Sequence, residues 1–146
     1  MTVPELEDQI TVMMGGQAAE EGVYDGVTST GAGDDLERAS GLVRRMVMRF
    51  GMSERLGRLT YGAPQSAQFL RFPFMSEERN YSEKTSEAID AEVRRISDEL
   101  FERARAILAG RRRELEQIAA ELMERETLNR DQIDRLLASQ LEEAPV

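Results

Sequence analysis

The C-terminal half of the sequence is dominated by apolar residues that recur every three or four positions. This spacing runs from Ser82 to about Ala109, continues through 111–126, and returns after Asn129. A repeat of about 3.6 residues places such residues on one face of an α-helix, so we expect three consecutive amphipathic helices. Their apolar positions are Ile89, Val93, Ile96, Leu100, Ala104 and Ile107, then Leu115, Ile118, Leu122 and Met123, then Ile133, Leu136 and Leu137.

Two more helices are predicted in the N-terminal half. Thr2 and Glu5 have the spacing of a capping box, which predicts a helix over about Val3–Glu21. A glycine-rich connection at 22–33 separates it from a second helix over about Asp34–Phe50. The predicted apolar faces are Leu6, Ile10, Met13 and Met14 in the first helix, and Leu36, Ala39, Val43, Met46, Val47 and Phe50 in the second.

Glycines and prolines predict where this helical pattern changes. The pair Gly15 and Gly16 lies inside the first helix, where a missing side chain usually permits a close helix crossing. Residues 52–81 contain several breakers and predict a long irregular loop, with a very short strand at Leu59–Tyr61. We expect four apolar residues to fix this loop to the core: Phe69, Leu70, Phe72 and Phe74.

The expected fold class is therefore all-α, with about five helices in a compact bundle. A chain of 146 residues can form one domain with a real core. We expect that domain to cover residues 1–141 and to be followed by a flexible tail at 142–146.

Composition narrows the possible functions. Asp and Glu number 28 against 19 Lys and Arg, and the net charge of −9 disfavours nucleic acid or anionic lipid as a partner. No apolar run approaches the roughly 18 residues that span a bilayer, so direct membrane insertion by this chain is not expected. The sequence has no cysteine and no histidine, which excludes disulfides, cysteine nucleophiles and histidine triads formed by these residues.

Several short motifs follow one another in a fixed order along the chain. They are Gly-Gly-Gln-Ala-Ala-Glu-Glu at 15–21, Ser-Thr-Gly-Ala-Gly-Asp-Asp-Leu-Glu-Arg-Ala at 29–39, Gly-Met-Ser-Glu-Arg-Leu-Gly at 51–57, Ser-Glu-Lys-Thr at 82–85 and Ile-Asp-Ala-Glu-Val at 89–93. In this order and spacing they resemble the C-terminal part of the peptidase domain of the FtsH-like ATP-dependent zinc metalloproteases (AAA metalloproteases). The resemblance extends over nearly the whole chain.

The resemblance implies roles for two carboxylates. In this family a His-Glu-x-x-His helix supplies two histidine ligands to zinc, and an aspartate further along supplies the third. That aspartate corresponds to Asp35, so the resemblance implies a zinc ligand in the complete enzyme. Glu20 would orient a ligand histidine from just outside the metal site. Without the resemblance, Asp35 is better explained as an ordinary helix-start acid than as a metal ligand, and Glu20 is equally well explained as a solvated helix-end charge.

The resemblance also implies cofactors and partners for the complete enzyme. It would be a membrane-associated homo-hexamer at the cytoplasmic face that uses zinc, and ATP on an upstream domain, to degrade membrane and unfolded proteins. This chain lacks the histidine helix, so it contains no catalytic residue, and alone it should be soluble, inactive and without a bound cofactor. Two alternatives remain open, a pseudoprotease and a helical assembly scaffold without catalytic activity.

Overall fold

The computed structural model of the chain describes residues 1–62 and 80–143, and this part is built from five α-helices. They are α1 (Val3–Val23), α2 (Gly33–Met48), α3 (Glu83–Gly110), α4 (Arg112–Arg125) and α5 (Arg130–Glu143), with a 3-10 turn at Thr30–Ala32 before α2. These ranges confirm the all-α prediction. Among the described residues no helix combines the length and apolar character needed to cross a membrane.

Local side-chain caps explain where the helices begin. The Thr2 hydroxyl accepts from the Glu5 N–H, while the Glu5 carboxylate accepts from the Thr2 N–H at 2.6 Å, which completes the predicted capping box. Asn129 and Gln132 exchange the same pair of hydrogen bonds at 2.9 Å before α5. Ser82 caps α3 by accepting from the Thr85 N–H. Each cap satisfies backbone donors that have no partner within the helix.

Helices α1, α2 and α3 pack against one another around one apolar core. The sequence assigned most of its members correctly, but Leu36, Phe50 and Ile107 are exposed and Leu42 is buried instead. The three exposed residues lie near helix ends, where a neighbouring helix no longer covers the side chain. The core consists of Leu6, Ile10, Met14, Ala18, Ala39, Leu42, Val43, Met46, Val47, Ile89, Val93, Ile96, Leu100 and Ala104.

The last two helices form a separate feature that we call the arm, α4 with α5. They contact each other and, through α4, the end of α3, but their backbones do not pack on α1 or α2. No residue of α4 is buried, and Met123, which was predicted to point inward, is 86% exposed. The periodicity correctly predicted a helix here, but it could not show that α4 would lie outside the core formed by α1, α2 and α3.

The segment after α2 folds back through a tight turn. Ser53 and Gly57 form an isolated antiparallel bridge, and the Tyr61 N–H donates to the Met48 carbonyl at 2.7 Å. The predicted strand at Leu59–Tyr61 is wrong, since these residues have no strand to pair with in the described part of the chain. The loop residues Phe69, Leu70, Phe72 and Phe74 lie outside the described residues, as does the end of the predicted tail, 144–146.

Candidate functional site

Asp35 lies in the first turn of α2, immediately after the 3-10 turn. The residue is exposed, and within residues 1–62 and 80–143 its carboxylate makes no hydrogen bond or ion pair. Asp34, in the same turn, is also exposed. Acids are favoured at this position because the backbone N–H groups of the first turn carry partial positive charge. Among the described residues no side chain engages the Asp35 carboxylate, so it is available to an external ligand at the start of α2.

Glu20, in the last turn of α1, fastens the loop that leads to Asp35. Its carboxylate accepts the Ser29 N–H at 2.9 Å and the Ser29 hydroxyl at 2.6 Å. The Ser29 hydroxyl oxygen in turn accepts the Gly31 N–H at 3.1 Å. The chain from Glu20 to Gly31 thus fixes the start of the 3-10 turn, which continues directly into α2.

These hydrogen bonds also control the protonation of Glu20. The Ser29 hydroxyl, and then the Ser29 backbone N–H, hold the pKa of Glu20 below its usual value, because both stabilise the carboxylate form. The contribution of a lowered pKa is present above the unfolded value of about 4.3 and is lost only as the pH falls through the folded value. The contact with Ser29 is therefore intact at neutral pH.

The glycine pair in α1 does not have the predicted role. Among the described residues, a Cβ at Gly15 would meet no atom of another segment within 4 Å, so no described helix crosses closely there. A Cβ at Gly16 would lie 4.0 Å from the Cβ of Ala32, which belongs to the 3-10 turn. The neighbour of α1 at this point is the loop that precedes Asp35, at ordinary van der Waals distance.

The chain can offer a metal only part of a ligand set. In the described ranges no group of three or more acidic side chains is close enough to hold a metal ion. The sequence has neither histidine nor cysteine, so side-chain nitrogen or sulfur ligands of the usual kind would have to come from elsewhere. Asp35 fits the role of a single oxygen ligand, which zinc accepts alongside histidine. The histidine-orienting role of Glu20 stays a prediction.

A buried charged cluster around Glu92 was not predicted from the sequence. The Glu92 side chain is 0% exposed and accepts from the Arg95 guanidinium at 2.6 Å and from the Ser53 hydroxyl at 3.0 Å. Arg55 lies 3.7 Å away. The hydrogen bond from Arg95, the largest influence, holds the pKa of Glu92 below its usual value despite its burial.

This cluster fastens the Ser53–Gly57 turn to α3. A signal for it was present, since Glu92 interrupts the apolar face between Ile89 and Ile96, where a charge requires a partner. The sequence alone does not indicate that Ser53, 39 residues away, would be one of the partners of Glu92.

Comparison with known proteins decides the family. The sequence profile described as Peptidase family M41 matches residues 1–136. The chain belongs to peptidase family M41. The match includes the loop carrying Glu20, Ser29 and Asp35, as well as the Glu92 cluster, so both arrangements lie within the M41 region.

Curated relatives agree with the M41 assignment. The chain is 43% identical over 146 residues to the ATP-dependent zinc metalloprotease FtsH of Pseudothermotoga lettingae, covering 100% of this chain and 23% of that protein. It is 45% identical over 136 residues to the protein of the same name from Bacillus subtilis, covering 93% and 21%. The FtsH of Akkermansia muciniphila is 46% identical over 133 residues, covering 91% and 16%. The M41 chain thus spans less than a quarter of each relative, and the family resemblance seen in the sequence is confirmed.

Proposed function

We propose that this chain forms part of the peptidase domain of an ATP-dependent zinc metalloendopeptidase, in which Asp35 is the third zinc ligand. The observation that carries the proposal is the M41 match across residues 1–136 together with an exposed Asp35 carboxylate that no other described side chain engages. The two remaining protein ligands would be the histidines of a His-Glu-x-x-His helix elsewhere in the full-length protein.

The local structure supports a positioning role for the loop before Asp35. A metal-ligating side chain must be held in position to within a fraction of an ångström. A residue at the start of a helix that follows a fixed turn can be held this closely. Glu20 and Ser29 fix that turn from the end of α1. A carboxylate has about four lone-pair sites, so Glu20 can accept Ser29 and still receive an N–H from a ligand histidine.

The reaction we propose is hydrolysis of peptide bonds in protein substrates. Zinc, when bound, would supply an activated water and polarise the scissile carbonyl. Asp35 would contribute an anionic oxygen to hold the metal. The three-helix core keeps Asp35 in place, because α2 packs on both α1 and α3.

The wider setting of the full-length protein is part of the proposal. The relatives are named ATP-dependent, which supports an ATPase domain outside this chain. The family resemblance supports a membrane-associated homo-hexamer that takes unfolded and membrane proteins as substrates. On this proposal the 146-residue chain alone neither retains zinc nor cleaves protein, because it supplies one ligand of the set.

Metal analysis of dialysed protein tests the ligand role. We expect the full-length protein to retain about one zinc per subunit, and its Asp35→Asn variant to lose affinity for zinc by about 10-fold or more. Asp34→Asn is the matched control, since it removes the same charge from the same helical turn, and it should retain zinc. Equal zinc retention by both variants, or stoichiometric zinc on the 146-residue chain alone, would overturn the assignment.

A further inference from the structure

The Ser29 side chain joins the end of α1 to the turn that begins α2. Its hydroxyl donates to Oε1 of Glu20 at 2.6 Å, and the hydroxyl oxygen accepts the Gly31 N–H at 3.1 Å. A carboxylate has no proton to donate, so the single hydroxyl proton points to Glu20 and leaves a lone pair for Gly31. We call these two contacts the Ser29 bridge. An alanine at this position could form neither of them.

Ser29 also engages both oxygens of the Glu20 carboxylate. Its backbone N–H donates to Oε2 at 2.9 Å, while its hydroxyl donates to Oε1. Two hydrogen bonds from one residue, one to each oxygen, restrict rotation of the carboxylate, as in other bidentate pairs. The remaining lone pairs of Glu20 therefore have fixed directions. Without the hydroxyl, a single hydrogen bond would remain, about which the carboxylate can turn.

The other end of the bridge leads to Asp35 through continuous helical backbone. Gly31 lies within the 3-10 turn, which the Gly33 N–H closes by donating to the Thr30 carbonyl. Helix α2 begins at Gly33, so Asp35 follows Gly31 by four residues with no irregular residue between them. A displacement of the backbone at Gly31 is therefore carried directly to the start of α2.

Gly31 fits closely against the bridge. A Cβ at Gly31 would lie 3.3 Å from the Ser29 Oγ and 4.0 Å from Oε1 of Glu20. The first distance is shorter than an ordinary van der Waals contact, and the Ser29 Oγ is already bound on two sides. The φ angle of Gly31 lies outside the left-handed region, so its backbone conformation does not require glycine. The bridge thus accounts for a glycine two residues after the serine.

We propose that Ser29 is a positioning residue of the zinc site. Through the bridge it sets the direction of the Glu20 carboxylate toward a ligand histidine and the position of the helix start that carries Asp35. The inference rests on the roles of Glu20 and Asp35 proposed above and adds a residue that acts through both. Loss of a group that orients metal ligands typically weakens metal binding by about 10- to 100-fold.

The zinc affinity of the full-length protein tests the role of the hydroxyl. We expect Ser29→Ala to raise the dissociation constant for zinc, measured by competition with a chelator, by about 10-fold. Ser29→Thr should restore zinc binding, because threonine keeps the hydroxyl and favours the extended backbone at this position, with φ −102° and ψ 175°. Thr28→Val is the matched control, since it removes a neighbouring hydroxyl that makes no hydrogen bond within the described residues. Both Ser29→Thr and Thr28→Val should stay within about twofold of the parent value.

A pair of glycine variants tests the fit of the bridge. Gly31→Ala should weaken zinc binding as Ser29→Ala does, since its Cβ displaces the Ser29 hydroxyl. Gly33→Ala is the matched control, because a Cβ there meets no described atom within 4 Å and the backbone is already helical, with φ −61° and ψ −44°. The double variant of Ser29→Ala with Gly31→Ala should lose no more affinity than Ser29→Ala alone, because alanine at position 29 removes the atom that the new Cβ would press against.

Hydrogen exchange gives a readout that does not involve zinc. In the metal-free 146-residue chain, the Gly31 amide should exchange faster in Ser29→Ala than in the parent, because its N–H has lost its acceptor. Ser29→Thr and Thr28→Val should exchange at the parent rate. Circular dichroism should show the same helix content in these chains, since Ser29 lies outside the core. A local change in an otherwise unchanged fold separates positioning from general stability.

The inference is wrong if Ser29→Ala binds zinc as the parent does while Asp35→Asn has lost it. It is also wrong if Ser29→Thr binds zinc as weakly as Ser29→Ala, since the hydroxyl would then not matter. Losses that multiply in the double variant would show that Ser29 and Gly31 act independently, which contradicts the bridge. Retention of zinc by Asp35→Asn would remove the proposed ligand role itself, and this inference with it, so the two failures can be distinguished.

Discussion

The Asp35→Asn variant of the full-length protein is expected to lose at least about 100-fold in kcat/KM for degradation of an unfolded protein. Asparagine has nearly the same shape and can still accept hydrogen bonds at a helix start, so α2 should form normally. What it lacks is the anionic oxygen that a zinc ligand needs. The loss should therefore appear in catalysis and not in folding.

The Asp34→Asn variant distinguishes a loss of catalysis from a loss of helix stability. Both aspartates lie in the first turn of α2, where removal of a negative charge costs about 0.3–1 kcal/mol of helix stability. If Asp35 is a ligand, Asp34→Asn should retain activity within about threefold. Degradation by Asp35→Asn at the parent rate would exclude the ligand role, and equal losses in the two variants would reduce it to helix stabilisation.

The largest effect on stability is expected for Glu92→Ala. This change should lower the free energy of unfolding of the 146-residue chain by about 2–4 kcal/mol. It removes a fully buried side chain, leaves the Ser53 hydroxyl without its acceptor, and releases the turn from α3. Arg95 loses the acceptor at 2.6 Å but is 37% exposed, so water replaces part of that interaction.

Glu99→Ala is the matched control for Glu92. Glu99 also pairs with Arg95, at 2.9 Å and one turn further along α3, but its side chain is 65% exposed. Such an exposed pair contributes about 0.2–1 kcal/mol, so its loss should be small. Denaturant unfolding followed by circular dichroism measures both variants. Similar losses in the two would mean that the buried cluster does not stabilise the fold more than a surface pair does.

The pH dependence of stability should follow the same cluster. The pKa of Glu92 is lowered, chiefly by the hydrogen bond from Arg95. A lowered pKa contributes stability above the unfolded value of about 4.3, and this contribution disappears as the pH falls through the folded value. The difference in unfolding free energy between the parent chain and Glu92→Ala should therefore shrink on acidification below that point.

Helix positions could be predicted from the sequence because their determinants are local. Thr2 with Glu5 and Asn129 with Gln132 are caps whose partners lie three residues apart. The predicted ends were correct to within about two residues, as expected for features read from neighbouring side chains. The all-α fold class followed from these helices.

Burial was harder to predict because it depends on the partner of each helix. The apolar faces of α3 and α4 look alike in the sequence. Among the described helices, however, α3 packs on both α1 and α2, whereas α4 contacts α5 and only the end of α3. Met123 in α4 consequently lies at the surface, and Ile107 is exposed near the end of α3.

The candidate site was predicted only in part. A carboxylate at the start of α2 is visible in the sequence, but its assignment as a zinc ligand comes from the family resemblance. Glu20 and Ser29, which are joined by hydrogen bonds, lie nine positions apart, and no local rule specifies that pairing. Glu92 and Ser53 lie farther apart still, and their contact depends on the packing of the whole bundle.

The mass of the native protein in its source cells, with peptide mapping of the sequence before Thr2, tests the proposed function most directly. We expect a protein several-fold larger than 16.5 kDa that carries a His-Glu-x-x-His motif upstream of α1. That result would place Asp35 in a complete zinc peptidase. A native product of about 16.5 kDa, or a larger protein without those histidines, would contradict the proposal and favour a pseudoprotease or assembly scaffold.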